Sequence, residues 1–301
     1  MRPLIGIRPW GRMRVELNQR TLARSIERCT GKAPKKPSVM LIPRSPPGCR
    51  GEVDSYYHFL FDLMLPLCRL LSRVDPAARF AIPPVGPFTS RISELFGERV
   101  AILTPDDAPP DVPRLPLVGM NPQGIAINPR WLLEFRRFVF DRYRIAEVER
   151  PDLVVLVERV PPDPYYRQRG PGIRGTSGAT RRSLVNHAEV RSLIEGLVRP
   201  EFRFRNVQLE HMDFVEQIET FARAALVIGQ HGAGLANAVW MRPGRGIVEF
   251  TARSPDHFKR LARLGGHRFA RFDTGESHAT VDLERLAAWL RREPTARKFF
   301  A

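Results

Sequence analysis

Cysteine is scarce in this chain, with three among 301 residues: Cys29, Cys49 and Cys68. An odd number without metal-ligand spacing supports neither a disulfide framework nor a zinc site, so the three are read as reduced thiols of a cytoplasmic protein. Lysine is nearly as rare; apart from Lys32, Lys35, Lys36, Lys259 and Lys298, every basic residue is arginine. No stretch reaches about 18 uninterrupted apolar residues, so no transmembrane helix is expected. The opening MRPLIGIRPWGRMRVEL is broken by arginine and proline, which argues against a secretory signal. Asp-x-Asp occurs nowhere, and histidines and carboxylates do not gather at ligand spacings. Neither a metal nor a cofactor is therefore expected. Internal repeats are absent too.

What remains is a chain of ordinary globular composition, 43% hydrophobic, long enough for one large core or two domains. Its formal net charge is +16. Such a charge fits an arginine-biased composition or an anionic partner: phosphate groups, an acidic lipid surface or nucleic acid. No nucleic-acid module is present, and the aromatics are not interleaved with basic residues as on a base-stacking face. Nucleic acid is thereby set aside, and peripheral contact with the anionic inner face of a membrane stays open.

Residues 1–50 carry little pattern beyond a possible strand at Ser38 to Ile42, amid prolines and basic residues that suggest linker. Tyr56 to Ser72 (YYHFLFDLMLPLCRLLS) predicts a buried helix, kinked or restarted near Pro66. Arg79 to Ile82 and Val100 to Leu103 suggest strands, Ser90 to Phe96 a short helix, and Asp106 to Pro116 a proline-rich loop. Helical spacing over Pro129 to Tyr143 puts Trp131, Leu132, Phe135, Phe138 and Val139 on one side. A boundary is placed near Arg150, giving domains 1–150 and 151–301.

The second half alternates more cleanly. Strands are expected at Leu153 to Val157, Phe204 to Leu209, Leu226 to Ile228, Ile247 to Phe250 and His267 to Phe272. Helices are expected at His187 to Val198, Asp213 to Arg223, His257 to Leu264 and Asp282 to Arg291, and a long loop at Pro161 to Thr180. Asp213 with Glu216 three residues on has the form of a helix cap. This alternation indicates an α/β fold with a doubly wound, mostly parallel sheet, whose ligand lies beyond the carboxyl ends of the strands.

The densest signal is Ala225 to Phe250, ALVIGQHGAGLANAVWMRPGRGIVEF. A strand, a glycine-rich turn, a helix start and a second strand follow in order. Such a turn brings backbone N–H groups and a helix dipole toward one point, which suits a phosphate and points to a nucleotide-type ligand. The alternative is a tight turn packed for structural reasons.

YYHFLFDLMLP, RRSLVNHAEV, FVEQIETFARAALVIGQHGAGLANAVWM and GIVEF together resemble glycosyltransferase family 61. The resemblance covers roughly residues 50 to 250 and is strongest from Arg181 onward. It departs from the family at Asn186-His187, where Asn-Glu is usual. It implies a GT-B-like pair of Rossmann-like domains: an acceptor-side N-terminal domain and a nucleotide-sugar-binding C-terminal domain. It further implies an inverting transfer from a UDP-sugar to a hydroxyl of a glycan or lipid-linked glycan. A UDP-sugar epimerase and a catalytically silent nucleotide-sugar-binding scaffold are the alternatives.

Under that resemblance, Gly232, Ala233, Gly234 and Leu235 form the diphosphate cradle, glycine permitting close approach and positive φ. His231 donates to a phosphate oxygen or the sugar, while Asn237 fixes the turn and Glu216 and Gln217 brace it from behind. Arg159 with Arg181 or Arg182 matches the family's paired arginines and would offset leaving-group charge, since a guanidinium makes two bonds to phosphate and stays charged. Glu249, ending a strand at the ligand edge, would accept from ribose hydroxyls or pair with a cation. His58 and Asp62, four apart on an apolar helix, share a face, and a carboxylate-held imidazole is what a general base needs. A satisfied structural pair is the other reading. Tyr56 and Tyr57 would shape the acceptor site.

Overall fold

The computed structural model describes residues 37, 39–46, 52–123, 127–161, 164–167, 178–252 and 255–301. Cys29, Cys49, the basic stretch 34–36 and most of the loop expected over 161–180 lie outside them. The chain divides into two compact units, Met1–Arg142 and Tyr143–Ala301. Both are α/β with parallel sheets.

In the first unit, β1 (Val39–Arg44) is followed by a continuous helix, α1. It runs as α-helix over Tyr56–His58, π-helix over Phe59–Met64 and α-helix again over Leu65–Leu71. Every residue of the π stretch is buried. The sequence predicts a restart near Pro66, and the wide turn is its form. The N–H of Leu65 reaches back five residues to the carbonyl of Leu60. In that register the next carbonyl, that of Phe61, would be taken by residue 66, which is proline and has no N–H. The Phe61 carbonyl instead accepts the N–H of Met120 at 2.7 Å. A missing donor in the helix is thus answered by a donor from a distant segment, as a buried carbonyl requires.

β2 (Phe80–Ile82), α2 (Thr89–Phe96), β3 (Val100–Ile102), β4 (Arg114–Val118) and α3 (Pro129–Tyr143) complete this unit. The sheet order is β3-β2-β1-β4. β4 corrects the expected loop: Pro116 pairs with Ile42 inside a strand. β4 is an edge strand, the place where a sheet tolerates a residue without a donor. On α3, Phe140 is buried alongside Trp131, Leu132, Phe135 and Val139, whereas Phe138 is only half-buried.

The second unit carries β5 (Leu153–Glu158), β6 (Ser183–Leu184), α4 (His187–Leu197), β7 (Arg203–Gln208), α5 (Phe214–Ala222) and β8 (Ala224–Gln230). After a 3-10 segment, Ala233–Trp240, come β9 (Gly246–Thr251), α6 (His257–Leu264), β10 (Arg268–Asp273), β11 (His278–Ala279) and α7 (Leu283–Arg292). Five parallel strands lie in the order β10-β9-β8-β5-β7. β8 and β9 are buried along their whole length, as continuous apolar runs inside a parallel sheet should be. Val154, Leu156, Ile228, Val248, Phe250 and Phe272 form the centre of the core. The expected Asp213 cap is present: its carboxylate accepts the Glu216 N–H at 2.7 Å. Asp282 caps α7 in the same way.

The expected helix after the glycine turn is a 3-10 segment. Buried Asn237 explains the tighter winding. Its amide donates to the carbonyl of Gly234 and to Gln217 Oε1, and its Oδ1 accepts the indole N–H of Trp240. A side chain that takes up local backbone groups competes with the α-helical ladder. Gln217 does brace the turn, whereas Glu216 instead pairs with Arg205. Among the described residues, no helix is long and apolar enough to cross a membrane.

Candidate functional site

In the second unit the expected donor residues gather at the carboxyl end of β8. His231 directly follows that strand, and its N–H is held by the Phe250 carbonyl at 2.9 Å. The carbonyl of His231 accepts Arg159 Nη1 at 3.0 Å and Arg182 Nη1 at 3.4 Å. Arg159, which follows β5, also donates from Nε and Nη2 to the Gly178 carbonyl at 3.2 and 2.7 Å. Its fork is therefore fixed by backbone on both sides. Arg181 is exposed and makes no side-chain bond to a described residue. Burial, and then the neighbouring charges of Arg182 and Arg181, lower the Arg159 pKa to about 10, with Glu210 pulling the other way. Cations held this close to one another favour an anion.

The N–H groups of Gly232, Ala233 and Gly234 follow in succession, half-buried and without an acceptor among the described residues. Leu235 N–H, by contrast, is bonded to the Gly232 carbonyl at 3.0 Å. It belongs to the turn's own structure and its side chain is buried.

The expected positive φ is not found at this turn: Gly232 is extended, with φ 171°, and Gly234 is not among the glycines of positive φ. The reason for glycine is space. A Cβ on Gly232 would lie 1.7 Å from Arg159 Nη1, and one on Gly234 would lie 2.7 Å from Leu209 Cδ1.

His231 Nδ1 lies 2.6 Å from Glu249 Oε1, and Glu249 Oε2 accepts Arg271 Nε at 2.7 Å. Arg271 stands opposite Glu249 in the β9–β10 register and also reaches Asp256 at 2.9 Å. Glu249 is fully buried, with both oxygens engaged inside the protein. The carboxylate thus holds the His231 ring and pairs with a cation, Arg271. Burial is the largest influence on His231 and lowers its pKa. The bond and charge of Glu249 act against that, and the charges of Arg182 and Arg159 add to the lowering. Sequence reading did not single out Arg271, since only the pairing of β9 with β10 places it there.

In the first unit His58 and Asp62 meet as their spacing predicts, with Nδ1 and Oδ2 2.6 Å apart. A carboxylate on Nδ1 orients the ring and favours a proton on that nitrogen over Nε2. Nε2 has no hydrogen-bond partner among the described residues, and the side chain keeps 10% exposure. Asp62 is wholly buried; Ser45 Oγ donates to its Oδ2 at 2.7 Å, while Oδ1 has no partner among the described residues. Gly119 lies against that oxygen so closely that a Cβ would stand 2.2 Å from it. Tyr57 is buried and its hydroxyl donates to Asn121; Tyr56 packs its ring against Phe88. Neither Ser45, Gly119 nor Asn121 carries a motif that could have revealed it.

Among the described residues, no group of three or more His, Cys, Asp or Glu side chains is placed to hold a metal ion. Cys68 is buried and free, and burial raises its thiol pKa.

No curated protein matches the chain. The sequence pattern of the Glycosyltransferase 61 family matches residues 56–248, well over half of it. That span runs from the first residue of α1 through the glycine turn into β9, and the chain belongs to the glycosyltransferase 61 family.

Proposed function

We propose that this glycosyltransferase is an inverting, GT-B-type enzyme that moves a sugar from a UDP-sugar to a hydroxyl of a glycan or lipid-linked glycan. One observation carries the donor assignment. Three consecutive N–H groups without acceptors among the described residues, those of Gly232, Ala233 and Gly234, follow a residue whose carbonyl holds both Arg159 and Arg182. Backbone donors and guanidinium forks are the groups that bind a diphosphate. His231, oriented by Glu249, adds a side-chain donor or acceptor at the same strand end.

In the proposed reaction His58 Nε2 takes the proton of the acceptor hydroxyl. The acceptor oxygen bonds to the anomeric carbon from the face opposite UDP, and the bond from that carbon to the diphosphate oxygen breaks. Asp62 stabilises the imidazolium. Arg159 and Arg182, with Arg181 beside them, offset the charge on the departing UDP. With arginines in that role and no Asp-x-Asp in the sequence, we propose that no metal is required. The net charge of +16 supports an acceptor carried at an anionic membrane surface.

The test is thermal stabilisation by UDP, UDP-glucose, UDP-N-acetylglucosamine, UDP-xylose, GDP and ADP in the presence of EDTA. A ligand at a hundred times its dissociation constant adds about 2.7 kcal/mol. A rise with UDP and one UDP-sugar supports the donor, the base preference and metal independence together. No rise with any nucleotide overturns the donor reading, and UDP binding without turnover on any acceptor favours the silent scaffold.

A further inference from the structure

We infer that Asn121 is the positioning residue of the His58–Asp62 pair: its amide donates to the carboxylate, and the carboxylate so placed holds the ring with Nε2 presented as a base. The inference rests on the proposed role of His58.

Asn121 is fully buried. Its Oδ1 accepts two donors, the Tyr57 hydroxyl at 3.1 Å and the Gln123 N–H at 2.9 Å. The Gln123 N–H can only donate, so turning the amide over would set N–H against N–H. Its Nδ2 therefore faces the pair, 3.5 Å from both His58 Nδ1 and Asp62 Oδ2. Among the described residues these two long contacts are the ones this buried NH2 makes; with the proton on Nδ1 it is Asp62 Oδ2 that accepts from it, and Nδ1 is only nearby. A group that only donates, placed beside the junction of ring and carboxylate, cannot take the Nδ1 proton for itself. It favours the ionised carboxylate, and that carboxylate keeps the proton on Nδ1. Ser45 Oγ, a second donor to Oδ2, acts in the same sense.

Residue 66 explains how Asn121 comes to be there. Pro66 leaves the Phe61 carbonyl without a helical donor, and Met120 N–H fills the place at 2.7 Å. Fixing Met120 puts Gly119 against Asp62 and Asn121 beside His58. The Gly119 N–H is itself tied to the Arg44 carbonyl at 2.8 Å, so the segment is held from the β1 side as well. A π stretch, a proline and a glycine, each costly by itself, are accounted for by one arrangement.

The experiment uses the full chain with 15N-labelled histidine. The ring nitrogens are followed by long-range proton–nitrogen correlation, and His58 is identified by the signals missing from H58Q. Wild type is expected to show a protonated Nδ1 and a lone-pair Nε2. Asn121→Asp keeps the shape and puts an acceptor where the donor was. A proton must then enter the cluster or the ring must turn, and either displaces the His58 nitrogen shifts. Tyr57→Phe removes one of the two donors that hold the amide, and should shift the same signals less. It stands in for Asn121→Asp should that variant fail to fold. In both, kcat should fall by about ten-fold or more, out of the roughly 10²–10⁴ that a positioned base contributes, with the KM for donor unchanged. His58 signals that overlay wild type in every folded variant overturn the positioning role. Displaced signals with unchanged kcat uphold the positioning by Asn121 and overturn His58 as the base.

Discussion

Nη1 of Arg159 occupies the place where a side chain on Gly232 would begin, 1.7 Å from an ideal Cβ. The glycine is therefore the arginine's binding place as much as a turn residue. Gly232→Ala should displace the guanidinium, which sits at the end of a flexible side chain, and leave the strand intact. The bonds to the carbonyls of His231 and Gly178 would go with it. Three such bonds at about 0.5–1.5 kcal/mol net each come to a few kcal/mol, so the melting temperature should drop measurably. UDP affinity should fall by about ten-fold or more, where each ten-fold is about 1.4 kcal/mol. Calorimetric titration beside thermal melts checks this, and unchanged UDP affinity would remove Arg159 from the donor site.

Gly234→Ala should fail in the opposite way. Its new methyl would meet Leu209 Cδ1 at 2.7 Å and Val157 Cγ1 at 3.3 Å. Both side chains are buried, so neither can swing into solvent. Overpacking of this kind costs about 1–3 kcal/mol. Denaturant unfolding should show that loss with no ligand present, while the Arg159 bonds stay in place; UDP affinity, which Gly232→Ala should lose, separates the arginine-seating glycine from the packing one two residues away.

Much of this arrangement was legible in the sequence where one local pattern decides the outcome. The Asp213 cap needs only Glu216 three residues on, and His58 and Asp62 meet because helical neighbours four apart share a face. The buried run at Leu153 to Val157 likewise becomes a strand paired on both sides. What stayed hidden depends on pairing across the chain. Arg271 reaches Glu249 because β10 lies beside β9 in that register, and Asn121 reaches His58 because Pro66 leaves a carbonyl open. Pro116 misled because proline argues against a strand unless the strand is an edge, and sheet order cannot be read from composition. For Gly232 and Gly234 two reasons were expected, close approach and positive φ, and positive φ is not found at either. Close approach is found, and coordinates are needed to see that the approaching atoms are Arg159 Nη1 and Leu209 Cδ1.

His231 gives the second unit a dependence on acid. Its folded pKa is held below the ordinary value of about 6.5, first by burial. Below that pH the unfolded chain binds more protons at this position than the folded one, so stability falls as pH drops from about 6.5 toward the folded pKa and then levels. His231→Gln should flatten that part of the profile. Glu249→Gln removes the partner that raises the histidine pKa, so the declining window should extend to lower pH. Thermal melts between pH 7.5 and about 4.5 test both, since carboxylates begin to titrate at the lower end. An H231Q profile parallel to wild type would show that the acid sensitivity arises elsewhere.

The His58–Asp62 pair can be tested for catalysis without knowing the acceptor in advance, by following UDP release with a mixed glycan pool. Asp62→Asn nearly preserves the volume of a fully buried side chain and keeps an oxygen for the Ser45 hydroxyl. It removes the negative charge that stabilises the imidazolium formed when His58 accepts the hydroxyl proton. kcat should fall by about 10²–10⁴, and so should that of His58→Ala. Residues that act as one unit are not additive, so the double variant should be scarcely slower than the slower single one. The KM for the UDP-sugar should hold in all three, because the groups assigned to the donor are Arg159, Arg182 and the Gly232 to Gly234 backbone. A purely structural pair would behave differently, losing stability and donor affinity together and leaving the turnover of the remaining folded enzyme near wild type. Undiminished kcat in His58→Ala would take this residue out of the reaction and turn attention to His231, the other histidine held by a buried carboxylate at 2.6 Å.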